Sequence, residues 1–459
     1  MIIRKILTII ALLGIGILTL NAQEILPLKH LSLPQALKIM KSNNLELKIS
    51  KFNEHIKQQE ALVAQGNNYG KLGLELQALR SNDAGNIFGF KLKSREATFG
   101  DFGFSEFDNS NPNILTLQPN DLNFPDARNH YQTTLTYMLP LYTGGKLTQY
   151  GKITKALVNM SQLDTSKLLN EKVFQTKKTF YDISLLNQYI QNLNNIVSNI
   201  DELQAIVSSM KEEGFAKETD ILEVKARKAE AQSMLSQAIY NKELAYQYLS
   251  FLLNHNVMTI QDINGIANMP HLSQAQIYEN NLDIQKAELG LKITKMAIRL
   301  QEANFLPTIG AFGEYGSSDN TVFNDFRKKD FYTVGLQLQW NLFNGNIDKY
   351  NLEKSKIENM KVQDQVALAK SGISLKIKKL TTEIRSKDAD IKSLETQYDF
   401  ANKVYENYQG RYKEGISSIS DVLIKQSKEL EVLLKLLTAK NDHNAKVFEL
   451  TSILNNGGK

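Results

Sequence analysis

One unit occurs twice in this chain. Tyr131-Gln-Thr-Thr-Leu135-Thr-Tyr137-Met-Leu139, running on to Gly144, aligns without a gap onto Tyr332-Thr-Val-Gly-Leu336-Gln-Leu338-Gln-Trp340, running on to Gly345. The same offset, from Tyr131 to Tyr332, carries Glu213-Gly214 onto Glu414-Gly415 and Asp220-Ile221-Leu222 onto Asp421-Val422-Leu423. Self-similarity over this length means that two copies of one strand-to-helix unit make up most of the protein, and it argues for one pseudo-symmetric body over two or three independent domains.

Each copy opens with a helix. Ser32-Leu-Pro34-Gln35 is a capping-box pattern with proline in the first turn, and Leu37, Met40, Leu45, Ile49, Phe52, Ile56 and Val63 follow at helical spacing. Ser273-Gln-Ala-Gln276 opens the second copy, continued by Leu282, Ile284, Leu289, Ile293 and Leu300. The spacing predicts helices over about 33–66 and 273–304.

Strands come next. Leu72, Leu74 and Leu76 alternate with Lys71, Gly73, Glu75 and Gln77. Tyr131, Leu135, Tyr137 and Leu139 stand opposite Gln132, Thr134 and Thr136. Tyr332, Val334, Leu336, Leu338, Trp340 and Leu342 stand opposite Gln337, Gln339 and Asn341. Residues 306–315 alternate least. Such strands fit a soluble sheet with one face on a core, or a membrane barrel with its apolar face to lipid, and the period does not separate the two. Strands of about ten residues, with tyrosine and tryptophan near the ends of the apolar face, suit a membrane.

The long helices after the strands decide between the two. From Gly145 to Met210 there is no proline, and the spacing predicts one helix of roughly 100 Å; residues 346–409 repeat the feature. Ile373, Ile377, Leu380, Ile384, Ile391, Leu394 and Tyr398 form a sustained heptad broken at Lys387, and Leu186, Ile190, Leu193, Val197 and Ile200 keep the same frame one copy earlier. A globular core has no use for helices this long; they must pack side by side as a wall or tube. Each ends at a glycine turn, Gly214-Phe215 or Gly415-Ile416, after which a shorter helix returns.

The organisation expected is therefore a signal segment at 1–22, a first repeat over 23–270 and a second over 271–459. The first holds a helix, strands at about 70–79 and 131–140, a long helix at 145–211 and a returning helix at 218–253. The second holds a helix, strands at about 306–315 and 332–342, a long helix at 346–411 and a returning helix at 419–453. Arg4 and Lys5 before the apolar run Ile6–Leu20, with Asn21-Ala22 at the cleavage position, carry the signal expectation. The connection 79–130 reads as a long loop holding local strand structure at Phe88-Gly-Phe90-Lys-Leu92, and 316–330 as a short one.

Composition excludes several functions. The formal charge of +5 is mild, and no Lys/Arg cluster interleaved with aromatics suggests nucleic acid. With no cysteine there is no disulfide, thiol catalysis, thiolate metal site or lipidated cysteine. After the first 22 residues no run of eighteen apolar residues occurs, so membrane attachment must come from β structure. His30, His55, His130, His255, His271 and His443 are scattered without ligand spacing, and no phosphate loop or Gly-x-Ser-x-Gly occurs. The reading is no enzyme, no metal and no cofactor.

Several segments resemble the TolC-like outer-membrane efflux family: Leu33-Pro34-Gln35-Ala36-Leu37, Met138-Leu139-Pro140-Leu141-Tyr142-Thr143-Gly144-Gly145, Phe305-Leu306-Pro307, Trp340-Asn341-Leu342-Phe343-Asn344-Gly345, and Arg411-Tyr412-Lys413-Glu414-Gly415 followed by Ser420-Asp421-Val422-Leu423. The resemblance covers about 30–455. It implies a mostly α chain with membrane β: a homotrimer whose subunits each give four strands to a twelve-stranded barrel, continued by a helical coiled-coil tunnel in the periplasm. It also implies an outer-membrane duct for efflux or type I secretion, served by a periplasmic adaptor and an inner-membrane pump or ABC transporter. A periplasmic helical-hairpin adaptor or scaffold is the alternative.

By resemblance Tyr412 and Asp421 fall at the periplasmic gate, where threefold symmetry makes Asp421 a carboxylate ring. The residue-level alternative is that Asp421 supports the start of the returning helix, as Asp220 does in the first copy. Ser417 and Ile424 depart from the family's charged gate pattern. The resemblance also implies that Gly214, Phe215, Gly415 and Ile416 form the tip that adaptors grasp, and Leu72, Leu74, Leu76, Leu135, Tyr137, Leu336, Leu338 and Trp340 are the expected lipid-facing surface.

Overall fold

The structure is a computed structural model that describes residues 27–263, 265–270, 278–322 and 326–454. The signal segment and the Ser273–Gln276 cap lie outside the described residues. Two compact units divide the chain, one of Ser50–Ser166 and Gln274–Ser374, the other of Met1–Ile49, Lys167–Ser273 and Leu375–Lys459.

The first unit is built on one antiparallel sheet. β1 (Lys71–Ser81), β2 (Arg128–Tyr142), β3 (Thr308–Asp319) and β4 (Asp330–Gln339) lie in the order β1-β2-β3-β4. Every strand meets a helix at the same end of the sheet. α1 (Leu33–Asn43) and α2 (Leu45–Gly66) precede β1, and α4 (Lys146–Glu212) follows β2. α6 (Leu282–Glu302) precedes β3, and α7 (Ile347–Lys413) follows β4. At this end β2 carries a register irregularity between Pro140 and Tyr142, the kind of place where a strand tolerates a residue that cannot donate to the ladder. The other end carries the two connections, 82–127 and 320–329.

The long connection holds α3 (Ala84–Lys93), several 3-10 turns and a one-turn helix at Asn120–Asn123. Here the expected strand at Phe88–Leu92 is corrected: it is part of α3. Asp83 caps the helix by accepting from the Asn86 backbone at 2.9 Å. Ile87 and Phe90, one turn apart, bury one face, and Lys91 and Lys93 close the last turn where cations suit the dipole. Reading three aromatic and aliphatic positions as an alternation missed the cap and the three-residue spacing.

The second unit is helical. α5 (Glu218–Leu253) returns along α4, and α8 (Ile419–Ile453) along α7. One buried cluster joins Met40 of α1, Leu47 of α2, Val173, Phe180 and Ile183 of α4, and Leu249, Leu252 and Leu253 of α5. A short parallel pairing of Leu28 with Val257 and Leu31 with Ile260 seals it. A second cluster lies nearer the turns: Ile196, Ile200, Leu203 and Val207 of α4, Ile221 and Val224 of α5, Tyr405 and Tyr412 of α7, and Ile419, Val422 and Leu423 of α8. The heptad of α7 is a buried seam at Ile377, Leu380, Ile384 and Ile391; at its break, Lys387 pairs with Asp442 of α8 at 3.0 Å.

The helix expected over 33–66 is broken at Asn44. Its side chain accepts from the Leu47 backbone at 3.0 Å, capping α2, and donates to the Leu252 carbonyl at 2.8 Å. Asparagine competes for backbone groups in this way, which makes it a helix boundary. Beyond the break the apolar stripe of α2 is uncovered, with Ile49, Phe52, Ile56 and Val63 all more than half exposed.

Candidate functional site

The register of the sheet sorts its side chains by polarity. Paired residues in an antiparallel ladder share a face. Leu72 pairs with Tyr137 and Leu74 with Leu135; Leu135 pairs with Tyr315 and Leu139 with Ala311; Tyr315 pairs with Tyr332, Ala311 with Leu336 and Ile309 with Leu338. One face of all four strands is thus apolar. The opposite face is more polar but mixed: it holds Glu75 beside Thr134, Gln77 beside Gln132, Thr136 beside Glu314 and Gly310 beside Gln337, and also Met138 beside Phe312.

The apolar face is bare. Leu72, Leu74 and Leu76 are 66–71% exposed, Leu336 and Leu338 62–72%, Trp340 54%, and Leu135 and Tyr137 41% each. All eight sequence-chosen residues sit on it or just past its end, where Trp340 follows β4. Two polar tips are anchored at the helix end of the sheet: the Tyr137 hydroxyl donates to the Tyr69 carbonyl at 2.7 Å and Trp340 Nε1 to the Phe305 carbonyl at 3.1 Å. β1 and β4 are edge strands with a free ladder side in the single chain. A long apolar edge in water invites pairing with another chain. Among the described residues no helix is long and apolar enough to cross a membrane.

At the helical turns the backbone explains the glycines. The N–H of Phe215 reaches the Met210 carbonyl at 2.7 Å and that of Gly214 the Lys211 carbonyl at 3.0 Å; Ile416 reaches Arg411 at 2.9 Å and Gly415 reaches Tyr412 at 2.9 Å. Both turns are Schellman motifs with glycine in the left-handed conformation, φ +83° at Gly214 and +72° at Gly415. The residue after each glycine is thrown outward, Phe215 79% and Ile416 65% exposed.

Tyr412 and Asp421 are placed differently from each other. Tyr412 is turned into the core, 5% exposed, and burial, with the nearby Asp220 charge, pushes its hydroxyl above the usual range. Asp421 closes a capping box: Ser418 Oγ donates to its Oδ2 at 2.7 Å, and the Asp421 backbone donates to Ser418 Oγ at 3.1 Å. These Ser418 bonds hold its carboxyl below the usual carboxylate range. Ser420 Oγ donates to Glu223 Oε2 of α5 at 2.6 Å, and Arg411 and Lys425 lie 5.4 and 5.1 Å from the Tyr408 ring centre, so the turns are tied across helices by side chains the repeat did not reveal.

Sequence reasoning also passed over a buried polar layer below the tip. On α8 the buried positions run Val422, Gln426, Glu429, Leu433 and Leu436 at heptad spacing. A glutamate in that frame was the visible signal. Burial, then Glu406, pushes Glu429 up to about 6. Among the described residues no three His, Asp or Glu side chains gather as a metal set.

The model of the outer membrane efflux protein family matches residues 274–456. No curated protein matches the chain significantly. Several solved structures share its fold at low identity. The Campylobacter jejuni CmeC outer membrane channel has a TM-score of 0.77 at 14% identity, covering 93% of this chain and 86% of that one. The Neisseria gonorrhoeae MtrE outer membrane channel, solved in an open state, has 0.75 at 14%, covering 93% and 89%. The Vibrio cholerae outer membrane protein VceC has 0.74 at 13%, covering 92% and 96%.

Proposed function

From the match of the outer membrane efflux protein family to residues 274–456, we propose that three copies of this chain close into one twelve-stranded barrel and pass cargo out of the cell as the exit duct of a multi-component exporter. The carrying observation is the register, which lines one exposed face of the four strands with leucine, tyrosine and other apolar side chains while β1 and β4 keep free edges. In lipid a free edge leaves backbone groups without partners, so only closure is stable. The four strands alternate in direction, so β4 of one copy meets β1 of the next antiparallel, and identical head-to-tail contacts form a ring. The uncovered stripe of α2 and the exposed Tyr240, Leu244, Tyr248 and Phe251 of α5 supply further apolar surface for neighbouring copies.

In this reading Leu72, Leu74, Leu76, Leu135, Tyr137, Leu336, Leu338 and Trp340 face lipid, and the glutamate- and glutamine-bearing face lines the lumen. The helices stand in the periplasm. Phe215 and Ile416, presented by Gly214 and Gly415, form the surface for a periplasmic adaptor, through which an inner-membrane pump delivers cargo. Asp421 forms a ring of carboxylates at the narrow end, with Tyr412 supporting the helix start behind it. In this reading the energy for export comes from the pump and not from the duct.

The test is the mass of the detergent-purified protein by native mass determination, joined to planar-bilayer recording. A trimer that conducts is expected. A monomer that stays soluble without detergent and does not conduct would overturn the barrel.

A further inference from the structure

Residues 82–127 do not hang free of the sheet. α3 packs against β3, and the Phe90 ring stacks on His130 of β2 with centroids 4.1 Å apart and planes within 6°. His130 is 1% exposed, Ile87 2% and Ser94 0%. By strand alternation His130 shares its face with Gln132 and Thr134, and His130 hydrogen-bonds Gln132 at 3.3 Å. That is the polar face. α3 therefore covers the polar side of the sheet, at the end remote from the long helices.

Side chains hold it there. Glu96 pairs with Arg128, at the start of β2, and with Lys329, in the β3–β4 connection; Lys329 also pairs with Asp319 at 2.8 Å. Arg95 donates to the backbone carbonyls of Lys328 and Asp330. Lone surface ion pairs contribute little, but here four largely covered charges are linked. They fasten one segment to three separate strand ends. Inside the segment, Lys91 pairs with Asp101, which also accepts from the Thr98 backbone at 2.7 Å.

We propose that residues 84–127 are a folded stopper seated in the outer mouth of the duct, and that they set the upper size of what leaves it. The inference rests on the barrel reading, since it needs the polar face to be the lumen. A threefold ring brings three copies of the segment to one mouth. Phe99, Phe104, Phe107, Leu115 and Phe124, all more than half exposed in the single chain, then find partners of their own kind. The pairing with strand ends makes this a built constriction and not a solvated loop. Its lining decides passage by width, because the segment covers the sheet face that cargo must pass.

The absence of cysteine allows a clean test in the full chain. Gln337→Cys places one thiol on the polar face of β4, and Leu336→Cys one on the apolar face. Intact cells are treated from outside with a small charged methanethiosulfonate and with a maleimide on a bulky polymer. With the segment intact, Gln337→Cys should react with the small reagent and resist the bulky one. Replacing 86–124 by a short Gly/Ser linker should raise the bulky rate by about tenfold or more, a barrier loss of about 1.4 kcal/mol. Should the linker variant fail to assemble, Glu96→Ala loosens the same segment with its sequence otherwise whole. Equal bulky rates with the segment intact and replaced would overturn the stopper. Leu336→Cys reacting as fast as Gln337→Cys would instead overturn the barrel reading beneath it.

Discussion

The side-chain amide of Gln426 on α8 donates to the Tyr405 hydroxyl on α7 at 3.3 Å. Both residues are buried, within a seam otherwise made of Val422, Leu423, Val432 and Leu433. Glu429 belongs to the same layer. Burial first, and the Glu429 charge second, push Tyr405 up to about 12. A polar layer in a heptad seam fixes register at a cost in stability, and here the cost is concentrated on one carboxylate.

That cost has a pH signature. Glu429 titrates at about 6 in the folded chain against an ordinary 4.5, so the fold prefers its neutral form. Its stabilising contribution is full below about pH 4.5 and gone above about 6. Glu429→Gln keeps the shape and removes the charge. The variant should be more stable than the parent by about 2 kcal/mol near pH 8 and equal to it near pH 4. Guanidinium unfolding at the two pH values checks this, and the same gap at both would show that charge burial is not the cause.

At the turn after α7 the expectation concerns backbone alone. A Cβ on Gly415 would meet nothing within 4 Å, yet φ is +72°. Gly415→Ala should therefore cost about 1–2 kcal/mol, through conformation and not through clash. Gly415→Asn should cost less, because asparagine tolerates the left-handed region. Thermal unfolding of the pair measures the difference; equal losses would point to a contact instead.

The parts of this molecule that were legible in sequence are those where one periodicity governs many residues. The seam of Ile377, Leu380, Ile384 and Ile391, the glycine turns and the polarity of the strands come from spacing because burial, φ and face are local consequences of it. What escaped is set by single side chains acting over distance. Asn44 breaks a helix whose apolar pattern continues, because its amide finds Leu252 more than two hundred positions away. α3 was misread because its cap, Asp83, and its docking partner, His130, lie outside the five residues that looked like a strand. The stripe of α2 predicted a helix correctly but not what covers it, since in one chain nothing does. At the tip, the resemblance selected Tyr412 and Asp421, while the geometry turns one inward and engages the other in a cap; spacing alone carries no information about which way a ring points.

The two faces of β4 should respond oppositely to charge. Leu338→Arg puts a cation on the face assigned to lipid, where such a substitution costs about 2–4 kcal/mol at the bilayer midplane and about 1 kcal/mol or less near the interface, where the end of β4 lies. Gln339→Arg, its neighbour on the polar face, should cost little and shift ion preference toward anions. The yield of assembled trimer in outer-membrane extracts and the reversal potential in a salt gradient report the two effects. Equal loss of assembly would show that β4 does not separate lipid from lumen.

Asp421 can serve as a cap, as a cation site, or as both, and two variants tell these apart. Asp421→Ala removes the carboxylate and with it one half of the capping box, leaving Ser418 Oγ to accept from the backbone N–H of residue 421. Ser418→Ala removes the hydroxyl that bonds Asp421 Oδ2 at 2.7 Å and leaves the carboxylate in place, still accepting from the backbone N–H of residue 418. If the ring of carboxylates binds divalent cations at the narrow end, block of bilayer currents from the tip side should weaken severalfold in Asp421→Ala and persist in Ser418→Ala. Both variants should lower thermal stability, since each loses part of the capping box, and Ser418→Ala should cost more because it loses the side-chain cap itself. The pH course adds a third reading. The Ser418 bonds hold the Asp421 carboxyl below the usual carboxylate range, so block should hold through mildly acid solution and fail only below that range. In Ser418→Ala the same failure should move to higher pH, because the hydroxyl bond, the larger of the two Ser418 bonds that favour the charged form, is gone while the backbone bond stays. Block that is unchanged in Asp421→Ala would leave Asp421 with capping as its whole role and move the constriction to other residues of the tip.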